Sequence, residues 1–227
     1  MENIPLTPTG TDLHIEGYPN AVKVIELEDQ KSRNLADLTL HKNDLENALN
    51  YLLLLEQPSS ESDLNPVIRE ALWISAIIQF SKCFGRSNAR VRLDKSVVYE
   101  GESTEALQAF EFFKCLRDKH VAHDENSYSQ CLTGAILNAQ DSPHKIAKII
   151  CLEMRAVTLE QANYSNLKLL IKKASEWVTH QFDSLCQEIT DELERETYQA
   201  LFTRNDVRVD PPLIEDIGKN RGRKASS

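Results

Sequence analysis

Apolar residues return to one face of a helix at Leu45, Ala48, Leu49, Leu52 and Leu53, and the pattern stops at Gln57-Pro58-Ser59-Ser60. A second helix is predicted from Asn65-Pro66, a cap followed by a first helical position, through an apolar run from Val67 to Cys83 that Gly85 ends. That run is apolar on most sides and belongs in the middle of a bundle. Residues 86–101 read as a loop, after which Ser103 caps a third helix opened by Glu105. Ala106, Phe110, Phe113, Arg117 and His120 share one stripe of this helix, so its aromatic face runs into an arginine and a histidine.

Residues 131–157 carry two segments rich in Ile, Leu and Ala on either side of Gln140-Asp141-Ser142-Pro143, and read as a β-hairpin. The rival is a short helix capped by Ser142 with Pro143 in its first turn, since Ile146, Ile149 and Ile150 also fit helical spacing. Threes and fours then alternate through Ile171, Ala174, Val178, Phe182, Leu185, Ile189 and Leu193, which predicts a long helix from about Ser165 to Phe202. At ~1.5 Å per residue it would exceed roughly 50 Å, longer than such a domain needs, so its distal half is expected to pack on a partner.

The pattern defines a mainly α fold: a bundle of four to five helices with a small hairpin inserted before a long C-terminal helix. Residues 1–32, with Pro5, Pro8 and Pro19, form an irregular lead-in, residues 33–204 the helical domain, and residues 205–227 a flexible tail. The cations Lys219, Arg221, Arg223 and Lys224 read as a solvated end.

Composition narrows the chemistry. With 41% apolar residues among 227 the chain can fill a proper core, and its apolar runs fall short of a membrane span. The sequence opens without a basic stretch leading into an apolar segment, so a cytoplasmic protein is expected. Five widely spaced cysteines without a Cys-x-x-Cys pair predict reduced, mostly buried thiols. A formal charge of −9 disfavours a general nucleic-acid binder, so any RNA contact would be local. Arg86, Arg90 and Arg92, with Phe84 nearby, form a candidate patch for RNA, weighed against a solvated loop. Seven glycines without a phosphate-cradling loop or a Gly-x-Ser-x-Gly motif leave nucleoside triphosphatases and α/β-hydrolases without support. Asp124 and Glu125 beside His123 are too few for a metal cage, and neither metal nor cofactor is expected.

The candidate chemistry lies in Arg117-Asp118-Lys119-His120-Val121-Ala122-His123. It combines a permanent cation, a carboxylate and two groups that titrate near neutral pH, a working set for proton transfer at a phosphodiester. His123 follows Arg117 by six positions, roughly 240° around an ideal helix, so the two meet only if the helix bends or ends near Ala122. The plainer reading is a group of cations favoured by the dipole at a helix end.

An arginine and a histidine separated by five residues at the end of an aromatic helix resemble the motif of HEPN domains. The likeness covers about residues 35–203 and implies a dimeric helical bundle. In catalytic members the motifs of two subunits meet and cleave RNA without metal. Carried onto this chain, it implies that His123 is the acid or base, that Arg117 holds the phosphate, and that Asp118 orients either group. His120 is extra to the pattern and is either a second proton carrier or a contact on the apolar stripe. The resemblance further implies a toxin-antitoxin or defence role, with RNA as substrate, a homodimer, and a cognate antitoxin as a possible partner. A non-catalytic interaction or RNA-binding module is the alternative, and a scaffold presenting its last helix is a third.

Overall fold

The computed structural model describes residues 18, 20–56, 65–87, 89–123, 125–208 and 213–219. Its helices are α1 (Gln30–Glu56), α2 (Pro66–Phe84), α3 (Lys95–Val98), α4 (Thr104–Leu116), α5 (Gln161–Leu193) and α6 (Tyr198–Phe202). A π-helical turn, Arg117–Val121, continues α4, and strands β1 (Ser129–Leu137) and β2 (Ile146–Arg155) follow it. The protein is thus mainly helical with one two-stranded antiparallel sheet. Among the described residues no helix is long and apolar enough to cross a membrane.

The described residues of these elements form two compact units, one within Asp44–Phe84 and Asp94–Ala174, the other from the described residues up to Asn43, within Gly85–Leu93 and from Ser175 onward. In the first, an aromatic cluster joins α2 to α4. Phe110 packs edge-on to Phe84 at 4.9 Å and to Phe80 at 5.9 Å, and Trp73 meets Phe113 at 6.0 Å. Such edge-to-face pairs add to the burial of large apolar side chains. Leu45, Ala48 and Leu52 of α1 and Leu167, Ile171 and Ala174 of α5 are fully buried in the same unit.

The polar tips of its aromatic residues find partners, as burial demands. Trp73 Nε1–H donates to Thr158 Oγ1 at 3.0 Å, the Tyr99 hydroxyl to the Leu170 carbonyl at 3.0 Å, and the Tyr164 hydroxyl to the Leu52 carbonyl at 2.9 Å. The caps read from sequence form: Asn65 Oδ1 accepts the Val67 N–H at 2.9 Å, and Ser103 Oγ accepts the Ala106 N–H at 3.3 Å. The hairpin forms as well, with Leu132 opposite Leu152 and Gly134 opposite Ile150, and a register irregularity at Ile136/Leu137.

The second unit pairs the start of α1 with the end of α5. Lys31 bridges Glu188 at 3.2 Å and Glu192 at 2.6 Å, and the Lys42 ammonium lies 5.5 Å from the centre of the Phe182 ring. Loop Gly85–Leu93 is fastened to α1 at Val91, whose N–H donates to Asp37 Oδ2 at 2.9 Å and whose carbonyl accepts from His41 Nε2 at 2.7 Å. That bond places a proton on Nε2 of His41.

Four expectations need correction. The last helix ends at Leu193, because Thr197 takes an extended conformation and caps a new helix through the Ala200 N–H at 3.3 Å. Val178, Phe182, Cys186 and Ile189 of its distal half are buried within the chain, which removes that half's need for a partner. Asn205–Val207 is not loose tail: Glu26 N–H donates to the Asn205 carbonyl at 2.8 Å and Val207 N–H to the Val24 carbonyl at 3.0 Å. Cys83 and Cys186 are buried, but Cys115, Cys131 and Cys151 are exposed. The three lead-in prolines, and the tail cations Arg221, Arg223 and Lys224, lie outside the described residues; Lys219 pairs with Asp216 at 2.8 Å.

The aromatic cluster yields a direct test. Phe113→Ala removes a fully buried ring between α4 and α2 and is expected to cost about 3–5 kcal/mol, measured as a lower urea midpoint at unchanged slope.

Candidate functional site at a widened helix turn

Helix α4 buries Phe110, Phe113 and Leu116. The stripe those residues define continues into Arg117 and His120, and a guanidinium cannot follow the rings into an apolar interior without a partner. At this point the hydrogen-bond pattern widens: the Ala122 N–H donates to the Arg117 carbonyl at 2.9 Å, five residues back instead of four. Ala122 ends the helical segment, and the Glu125 N–H returns to the Lys119 carbonyl at 2.9 Å. The helix therefore ends where His123 would have to leave its ideal position.

Arg117 Nη1 pairs with Asp118 Oδ1 at 2.9 Å, with both side chains about one-third exposed. Asp118 thereby fixes the direction of the guanidinium. Lys119 pairs with Glu125 on the exposed side. The hydrogen bond and charge of Lys119, with a smaller contribution from His123, hold the Glu125 carboxyl below the ordinary glutamate value, and Glu125 holds the Lys119 ammonium above its own.

The two histidines differ. His123 is exposed beyond the end of the helix. His120 is half-buried, its ring 5.6 Å from that of Tyr128 in an edge-on arrangement, and its buried Nδ1 has no hydrogen-bond partner among the described residues. Tyr128 belongs to the root of the hairpin, where its carbonyl accepts the Ala156 N–H at 2.7 Å. Among the described residues no hydrogen bond or ion pair within the chain joins Arg117 to His123.

The arginine loop is divided. Arg86 and Arg92 are exposed, but Arg90 is buried, so its guanidinium does not lie open to an RNA backbone. Phe84 packs against Phe80, Tyr99 and Phe110 at 5.2, 5.8 and 4.9 Å, so its ring is engaged in the aromatic cluster. Among the described residues no group of three His, Cys, Asp or Glu is placed to hold a metal ion, and Asp124 lies outside them.

Sequence reasoning missed three residues. Tyr128 had no signal beyond its place just before the first strand. Asp37 and His41 sit four apart on a helix, a spacing that could have marked a polar anchor inside a mainly apolar face. No family model matches the chain, and comparison with curated proteins and with solved structures gives no significant match.

The Lys119–Glu125 pair makes a pH-dependent prediction. Because Glu125 is favoured in its ionised form, its contribution to stability is present at neutral pH and is lost as pH falls through its lowered folded value. Lys119→Ala is expected to move the Glu125 carboxyl midpoint up toward the ordinary 4.5 in an NMR titration, and His123→Ala to move it the same way by less.

Proposed function

We propose that this chain is a metal-independent endoribonuclease of HEPN type, acting through Arg117, Asp118 and His123 contributed by two copies. The observation that carries the reading is the π-turn Arg117–Val121, since such widened turns recur at functional sites and this one coincides with the only arginine–histidine motif. Arg117 would hold the phosphate and stabilise charge in the transition state as a fork of donors. His123, exposed and clear of the helix, would move the proton of the attacking 2′-hydroxyl or the leaving oxygen. Asp118, already paired with Arg117, would keep the guanidinium aimed. His120 would serve as a support, with its ring against Tyr128.

A second reading, a non-catalytic interaction or RNA-binding module, is favoured by one observation: Arg117 is already satisfied by its neighbour, and His123 is not brought to it within one chain. A toxin-antitoxin or defence role belongs with the nuclease reading.

Arg117→Ala and His123→Ala are each expected to reduce cleavage of single-stranded RNA in chelator by about 100-fold or more, leaving helicity unchanged. Products should end in 2′,3′-cyclic phosphate, as attack by the neighbouring 2′-hydroxyl requires. His120→Ala should lower stability and leave the rate near wild type. A wild-type chain without chelator-resistant cleavage sinks the nuclease reading in favour of the binding module.

A further inference from the structure

The hairpin leaves several large apolar side chains exposed. Two strands alone make a marginal sheet, and stability ordinarily requires a third strand or a packed face. Residues paired across the hairpin place Leu132, Ile136, Ile150, Leu152 and Met154 on one face, with Gln130 and Lys148 at its two ends. Leu132 is 63% exposed, Leu152 60% and Met154 61%.

The two edges differ in kind. β2 carries Lys148, Glu153 and Arg155, the kind of charges that blunt an edge against another strand. β1 reads Ser-Gln-Cys-Leu-Thr-Gly-Ala-Ile-Leu, without a charge or a proline, and turns one row of backbone N–H and C=O groups away from β2. A chain of charge −9 repels its own copies, so a charge-free strand is where two copies can approach.

Gly134 at the middle of β1 is a further sign. A glycine weakens a strand interior and often marks close approach of another backbone. Among the described residues nothing calls for it: its φ is not positive, and an added Cβ would meet Ile150 Cγ1, at 3.7 Å.

We propose that β1 is the pairing edge for a second copy of this chain, antiparallel about a two-fold axis at Gly134, giving one four-stranded sheet in the order β2, β1, β1, β2. This register is the one the apolar pattern selects. It sets Leu132 opposite Ile136 of the second copy, twice, so that apolar side chains pair on one face, and it sets Thr133 opposite Ala135 and Cys131 opposite Leu137, without any charge, on the other. The pairing does not require the chain to cleave RNA.

The test uses complementary charge. Wild type should sediment at twice the chain mass at micromolar concentration. Leu132→Glu and Ile136→Lys, each on an exposed side chain, should each sediment as monomers with unchanged helicity, because every homodimer sets a charge against an apolar residue. Mixing the two should restore the dimer, since the mixed pair has one Glu–Lys contact and one Leu–Ile contact. Without any substitution, amide exchange across Ser129–Leu137 should slow as wild-type concentration rises, while that of β2 changes less. A monomeric wild type, variants that stay dimeric, a mixture that stays monomeric, or exchange independent of concentration would each overturn the proposal. A dimer without ribonuclease activity leaves the sheet standing and removes only the nuclease reading.

Discussion

The aromatic packing of α4 against α2 is the constraint on which the candidate site depends. Phe110 and Phe113 are held by Phe80, Phe84 and Trp73, and this fixes both the rotation of α4 and the depth to which its stripe is buried. Leu116 is the last residue the interior accepts. The next two stripe positions are an arginine and a histidine, whose polar groups cannot enter the same interior without partners. The widened turn, the Arg117–Asp118 pair and the half-buried ring of His120 follow from that conflict. Loosening the cluster would therefore disturb the motif as well as the stability of the unit.

The legible parts of the fold were those with local punctuation. Asn65-Pro66 and Ser103 satisfy helix N-termini through their own side chains, and Gly85 stands just past the end of α2, so each boundary was written in one or two residues. The hairpin was legible because two β-rich segments flank a turn sequence, although helical spacing of its isoleucines kept a rival open. The end of α5 was not, because the 3–4 alternation reaches Leu193 and the break that follows rests on Thr197 choosing a cap over continuation. Nor was the early start of α1 at Gln30, whose first turns carry few apolar residues.

The site was partly legible for a similar reason. Arg117 and Asp118 are neighbours in sequence, and their pairing needed no tertiary information. The relation of His123 to Arg117 depends on whether the chain keeps α-helical bonding to Ala122, which turns on how deeply Phe113 and Leu116 are drawn in. Arg90 shows the opposite failure. Three arginines in seven residues look like a solvated basic loop, yet Asp37 and His41 hold that loop at Val91, and Arg90 is buried with it. A count of charges along the chain does not say which of them the fold encloses.

His120 links the two features that distinguish this protein. Its ring meets Tyr128, whose carbonyl bonds to Ala156 at the base of the hairpin, so the motif and the sheet share one contact. Among the described residues, His120 has an aromatic neighbour at the hairpin and no hydrogen-bond partner for Nδ1. A buried nitrogen left in that state favours any rearrangement that brings it a donor or acceptor. The ring contact with Tyr128 is thus what ties the motif to the base of the sheet, whether or not the histidine takes part in chemistry.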